Sequence, residues 1–460
     1  MNYICLADFR QLADAIILNQ PPEPELIRSS RGISIDSRSL KANQIFWALK
    51  GAKYDAHDFI IDAVKNGAAA VVIDRKHAHV AGNLGVPAIV VPDTLLALQK
   101  MAALHRKKFD IPVLAITGTN GKTTTKEMLA WILHSKYNVH RTWGNLNNHI
   151  GVPLTLLHLT TAHQISIIEM GTNHPGEIAL LGSLVEPTAG LITNIGRGHL
   201  QFFKNIKGVA REKLDLFRCT KSHGLLIVNK DDLYLGAYSS SSHSFLTYSF
   251  QDAVPADVQG KFIGLNDGGA GIWELNRKVV ITMQVTGQHN ARNALAASAA
   301  ALYFGMHEEE IKEMLEKYHS YEKRMQIIRN GNWTIINDSY NANPDSFMPA
   351  LETLLHMAKK QSCRKILVLG DMLELGKTSQ TLHLEILQQA HSCGVNGIFT
   401  VGEFFHKAVK KFKVKTPGKI YSFLSHQELA TALKKFIKTD DIILIKGSRG
   451  MQMEKILSFL

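Results

Sequence analysis

The sequence predicts an α/β chain of three domains, and three observations carry that reading. Its 460 residues exceed what one hydrophobic core serves. Short apolar runs of strand character alternate with helix-like stretches, as in mainly parallel sheets covered by helices on both faces. The alternation starts afresh near residues 93 and 321, so domains are expected at 1–92, 93–320 and 321–460.

In the first unit, Asp36-Ser37-Arg38 leads to a strand at 44–49. A helix at 57–66 precedes strands at 69–74 and 88–91, a small α/β unit. Pro92-Asp93-Thr94 joins a proline to a capping residue and opens the next helix. The second unit has strands at 111–116, 165–169, 189–194 and 224–229 with helices between them, a doubly wound, mainly parallel sheet. Residues 239–285 are strand-like and turn-rich, with a loop at 266–269, and an alanine-rich helix covers 290–303. The third unit repeats the alternation with strands at 334–337, 365–369, 397–401 and 441–445. That makes it a second, Rossmann-like doubly wound domain, although Gly370-Asp371-Met372 lacks the spaced glycines of a dinucleotide fingerprint.

The most informative segment is Gly118-Thr119-Asn120-Gly121-Lys122-Thr123-Thr124, between a strand and a helix at 126–134. Two glycines let the backbone pass close to phosphates, while N–H groups and the helix dipole face the anion. Lys122 brings a charge to the outer phosphates, and the Thr123 hydroxyl suits the accompanying magnesium. The strict phosphate-loop pattern wants glycine at Ile116, so this P-loop is a variant. ATP is the expected ligand.

Composition narrows the partners. Apolar content of 45% and 20% charged residues describe an ordinary soluble protein. No apolar run reaches the ~20 residues of a membrane span, so no membrane insertion is expected. Residues 1–8 lack a basic start and a long apolar core, and Cys5, Cys219, Cys363 and Cys393 form no C-x-x-C pair. A cytoplasmic location fits. The net charge of +12 is spread along the chain, and its densest cluster, 406–415, reads as a solvated face. Nucleic acid is therefore not expected, whereas a small polyanionic substrate is.

Three further groups stand at or near strand ends, where open parallel sheets bind ligands. Glu169 closes a strand and offers carboxylate oxygen to a hard cation. His199 follows a glycine-rich turn at 193–198, and Lys213 lies on an amphipathic stretch beyond it. Taken alone, His199 reads as structural or exposed and Lys213 as a surface lysine.

Together, however, the segment 118–124, Glu169-Met170-Gly171, the turn leading to His199 and Lys213 resemble the Mur ligase family. These ATP-dependent amide-forming enzymes assemble the peptide of bacterial cell-wall precursors. The resemblance covers essentially the whole chain, since residues 286–294 match a Gly-x-His-Asn-x-x-Asn segment and Arg324 matches a hinge arginine. It implies that Asn290, Asn293, Arg324 and Asp338 join residues 118–124 in holding ATP. It also implies that Lys122, His199, Lys213 and Arg324 are catalytic, with Thr123, Glu169, His199 and Lys213 serving two magnesium ions. Lys213 would be carbamylated for that purpose.

Asp338-Ser339-Tyr340-Asn341-Ala342-Asn343-Pro344 looks like the member that adds D-alanyl-D-alanine to a UDP-N-acetylmuramoyl-tripeptide. The sister's Asp-Asn-Pro-Arg motif is absent from the sequence. Ser37 and Arg38 are then the candidates for the UDP group, and Tyr340, Asn341 and Asn343 for the dipeptide side. Asn145, Asn147 and Asn148 are further substrate contacts by resemblance, and His149 departs from the acidic residue of the pattern. A monomer is expected. Folylpolyglutamate synthase, a phosphate-loop ATPase and a non-enzymatic nucleotide-binding regulator are the rival readings.

Overall fold

The computed structural model describes residues 4, 6–12, 14–19, 32–319, 323–331, 333–361, 363–412 and 420–460. Cys5, the first three residues and the end of the basic cluster (413–415) lie outside the described residues.

Three sheets follow one another along the chain. The first contains β1 (Ile16–Leu18), β2 (Ile33–Ser34), β3 (Ile45–Trp47), β4 (Ala70–Asp74) and β5 (Ala88–Val91), in the order β1-β5-β4-β3-β2. Its pairings are parallel except β1 with β5. Strands β3, β4 and β5 are almost wholly buried apolar runs, as a parallel sheet covered on both faces requires. The helix anticipated at 57–66 is divided into a 3-10 turn, Ala56–Phe59, and a helix, Ile60–Lys65. The Asp55 carboxylate accepts from His57 N–H and sets that tighter start.

The second sheet holds β6 (Val113–Thr117), β7 (Val139–Arg141), β8 (Ile165–Glu169), β9 (Ala189–Ile192), β10 (Leu225–Asn229), β11 (Ser244–Ser249), β12 (Val258–Leu265), β13 (Ala270–Leu275) and β14 (Val279–Thr286). Its order is β14-β13-β12-β11-β10-β9-β6-β8-β7. The strands from β7 to β12 pair in parallel, while β12, β13 and β14 form an antiparallel edge. On β14 buried and exposed residues alternate, the period-two signature of a strand with one wet face. That edge is the strand-like, turn-rich stretch of the sequence. Its inner face packs on the alanine-rich helix Gln288–Tyr303. Small alanine side chains let the helix lie close to the strands.

The third sheet has β15 (Gln326–Asn330), β16 (Trp333–Asp338), β17 (Lys365–Gly370), β18 (Gly397–Val401), β19 (Ile420–Phe423) and β20 (Asp441–Lys446). The order is β15-β16-β20-β17-β18-β19, antiparallel only between β15 and β16.

Two registers position the site. Strand β6 lies between β8 and β9, so the chain leaves it toward opposite sides and a crevice opens at the carboxyl ends. There Ile116 pairs with Glu169, and Thr117 pairs with Ile192. In the third sheet Asp338 is in register with Lys446, again at the carboxyl ends.

Candidate active site

The loop after β6 is bent by two glycines that no other residue replaces. Gly118 has φ +151° and Gly121 φ +81°, the region that favours glycine. A Cβ at Gly118 would collide with Thr193 Oγ1, and one at Gly121 with Asn293 Oδ1. The turn after β9 braces the loop from the side. Thr119 N–H donates to the Asn194 carbonyl (2.9 Å), and Asn120 N–H donates to Asn194 Oδ1 (3.0 Å). The helix Lys122–Leu133 then begins with no side-chain cap, leaving its positive end for an anion.

Charged and polar groups converge at that end. Lys122 curls back so that Nζ donates to the carbonyls of Gly118 (2.7 Å) and Thr119 (3.3 Å). Burial pushes its pKa below the ordinary lysine value, Glu169 opposes that shift and Arg324 reinforces it. Thr123 Oγ1 donates to Glu169 Oε1 (3.0 Å) and accepts from an Arg324 guanidinium N–H (3.0 Å). Asn147 Nδ2 donates to the same Glu169 oxygen (2.8 Å). The other oxygen, Oε2, is buried with no hydrogen-bond partner. A buried carboxylate oxygen that accepts no hydrogen bond, beside a threonine hydroxyl, suits a hard divalent cation such as magnesium, so these residues fit that ion.

The third domain closes the far side. Arg324 stacks on the Tyr340 ring at 3.8 Å, and Asn343 Nδ2 donates to Asn120 Oδ1 (2.8 Å). Lys446 Nζ holds Asp338 Oδ2 at 2.5 Å. The cleft between the second and third domains measures about 800 Å³. Thr119 to Thr124, Asn145, Asn147, Asn148, His149, Glu169, His199, Asn290, Asn293, Arg324, Asp338, Tyr340, Asn341 and Asn343 all line it.

Other anticipated residues lie elsewhere. Gly118 underlies the loop rather than lining the cavity. Ser37 and Arg38 stand outside it on the first unit, where Arg38 is exposed and pairs with Asp36 at 2.7 Å. Lys213 is also outside the lining, but it is 2% exposed and not the surface lysine of the plain sequence reading. Desolvation pushes its pKa well below the ordinary lysine value, and the charge of Lys122 adds to that shift. Its neighbour Glu212 partly offsets both while accepting from Gly176 and Ile178 N–H groups.

His199 lines the cavity with φ +53°, and its Nδ1 lies 2.6 Å from Glu374 Oε2 of the third domain. That contact holds the Glu374 carboxyl below its ordinary range. Glu374 and Lys446 escaped sequence reasoning, because neither stands in a local pattern that marks it as a site residue. Lys126 escaped too, as one more lysine at a helix start.

Comparisons with known proteins agree across the chain. Residues 30–106 match the description "Mur ligase family, catalytic domain", 116–301 match "Mur ligase middle domain", and 323–449 match "Mur ligase, glutamate ligase domain". The chain is 36% identical over 435 residues to the UDP-N-acetylmuramoyl-tripeptide–D-alanyl-D-alanine ligase of Bacillus subtilis, covering 93% of both chains. It superimposes on MurF from Acinetobacter baumannii with TM-score 0.83 and 31% identity, again over 93% of both chains. For MurF from Thermotoga maritima in complex with ADP, the TM-score is 0.81 at 26% identity, over 95% of this chain and 97% of that one. The chain belongs to the Mur ligase family.

Proposed function

We infer that this chain is an ATP-dependent ligase that joins D-alanyl-D-alanine to UDP-N-acetylmuramoyl-tripeptide, forming the pentapeptide precursor of peptidoglycan. One observation carries the reading: the P-loop, Glu169, His199 and the 340–343 segment of another domain line a single cavity. Relatives that align over almost the whole chain carry that activity in their names.

The reaction needs a carboxylate to attack the γ-phosphorus of ATP, giving an acyl phosphate and ADP. The dipeptide amine then attacks the acyl carbon, and the tetrahedral intermediate expels phosphate. A carboxylate is a poor nucleophile toward a polyanion, so the protein must neutralise charge and fix alignment. Lys122 and Arg324 face the transferring phosphoryl oxygens, while residues 118–124 cradle the phosphate tail. Asn290, Asn293 and Asp338 hold the rest of the nucleotide. Magnesium, when bound, supplies charge neutralisation that side chains alone do not. Thr123 and Glu169 would hold one ion, and His199 with a carbamylated Lys213 a second.

Carbamylation requires a neutral amine, and the environment of Lys213 depresses its proton affinity in that direction. Isotope-labelled bicarbonate should give a carbamate resonance that disappears in Lys213→Ala. A spectrum identical in both proteins would remove this part of the scheme.

Ser37 and Arg38 on the first unit are assigned to the UDP end of the substrate, and Tyr340, Asn341 and Asn343 to the dipeptide end. Asn145, Asn147 and Asn148 contact the muramoyl peptide between them. The first unit (1–92) thus binds the UDP substrate, the second (93–320) ATP, and the third (321–460) the dipeptide. We place the enzyme in the cytoplasm, as a monomer. The deciding experiment is mass spectrometry of products from ATP, magnesium, D-alanyl-D-alanine and each UDP-muramoyl tripeptide. Pentapeptide with dipeptide-dependent ADP release is the expected result, and ADP release indifferent to the dipeptide would refute the assignment.

A further inference from the structure

Lys126 stands one helical turn beyond Lys122, but it faces inward beneath the cavity wall and is 0% exposed. Its Nζ donates to the carbonyls of Thr142 (2.7 Å) and Gly144 (3.3 Å) and pairs with Glu127 Oε1 (2.8 Å). It also stands 3.7 Å from Glu169 Oε2, the carboxylate oxygen that accepts no hydrogen bond. Thr142 completes the circuit, because its hydroxyl accepts from the Glu169 N–H (2.9 Å).

Burying an ammonium group is costly unless its partners offset the lost solvation. Glu127 meets that charge on one side, and the Glu169 carboxylate lies on the other. A fixed cation beside Glu169 competes by electrostatics with any metal ion that approaches the same carboxylate. Lys122 and Arg324 add positive charge on the open side. A divalent ion arriving alone meets a site whose carboxylate is already balanced. An ion arriving with a triphosphate brings enough negative charge to reverse that.

We propose that Lys126 is a positioning residue that balances the charge of the Glu169 carboxylate, so that a divalent cation binds there strongly only in company with nucleotide phosphates. This rests on the assignment of Glu169 as a metal ligand made above.

Manganese binding followed by electron paramagnetic resonance tests it, without turnover. The intact protein should bind manganese weakly alone and tightly with a non-hydrolysable ATP analogue. Lys126→Met should bind manganese alone about tenfold more tightly or better, and Lys126→Arg should behave as the intact protein. Should Lys126→Met not fold, Lys126→Met with Glu127→Gln, which also neutralises the abandoned partner, is read in the same way. Unchanged manganese affinity without nucleotide in a folded variant overturns the proposal. Glu169→Gln separates the two claims: if it loses analogue-dependent manganese binding while Lys126→Met changes nothing, the ligand assignment stands and only the role of Lys126 falls. If Glu169→Gln binds manganese as the intact protein does, both fall.

Discussion

Lys122 spends its ammonium group on two carbonyls of its own loop, an arrangement that presents a partly desolvated charge to whatever anion enters. Its replacement by alanine removes that charge without opening the core. Turnover should fall by about a hundredfold or more while the circular dichroism spectrum and melting temperature stay close to those of the intact protein. Full product yield from the variant would discount the role. A different residue contributes to acid stability. His140 is buried with Nδ1 against Ser166 Oγ (2.8 Å) and Nε2 against the Thr155 carbonyl (2.9 Å), and burial pushes its pKa from 6.5 to about 3. The folded state refuses a proton that the unfolded chain accepts. Its contribution is therefore complete above pH 6.5 and lost progressively as pH falls toward about 3. Denaturant titrations across that window should show a shallower pH slope in His140→Gln. Identical slopes would assign the acid sensitivity elsewhere. At this scale, Lys122 and Thr123 were legible because they follow a strand through a glycine turn, and Glu169 because it closes one. Lys126 was not, since inward and outward lysines of one helix look alike until the neighbouring loop is placed.

Elements were legible where their burial is continuous. Strands β5, β8 and β18 occupy the residues anticipated, because an unbroken apolar run with turn residues at both ends has one plausible extent. Strands β2, β7 and β19 are two to four residues long, too short for any period to register. The antiparallel edge β12–β14 showed strand character without its pairing, which depends on register rather than composition. The helix Lys122–Leu133 begins four residues before the anticipated 126, since its first turn is the phosphate-binding loop itself. That overlap makes Gly121 the most vulnerable backbone position. Gly121→Ala combines a left-handed φ with a collision at Asn293. It should weaken binding of an ATP analogue by at least about tenfold, measured by calorimetry. Affinity equal to that of the intact protein would show that the loop tolerates a side chain.

At the scale of the whole molecule, the second and third domains meet through a charged contact beside the cavity. Arg197 pairs with Asp345 (2.7 Å) and Glu385 (3.3 Å), and Gln201 N–H donates to the Glu374 carbonyl (2.9 Å). Such contacts between domains allow relative motion, and an acyl phosphate must be kept from water. Saturation with an ATP analogue and the UDP substrate should make the particle more compact, and Arg197→Ala should reduce the change. Superimposable small-angle scattering curves with and without ligands would contradict closure. The sequence alone showed three units but not how they meet, because Arg197, Asp345 and Glu385 carry no local pattern that pairs them.

Activation of the tripeptide carboxylate by phosphorylation is the central claim, and the fate of a carboxylate oxygen tests it most directly. UDP-N-acetylmuramoyl-tripeptide carrying heavy oxygen in its terminal carboxyl is incubated with ATP, magnesium and D-alanyl-D-alanine, and the released phosphate is weighed by mass spectrometry. Transfer of one labelled oxygen into phosphate for each amide bond formed is the predicted result. Unlabelled phosphate accompanying pentapeptide would contradict the account.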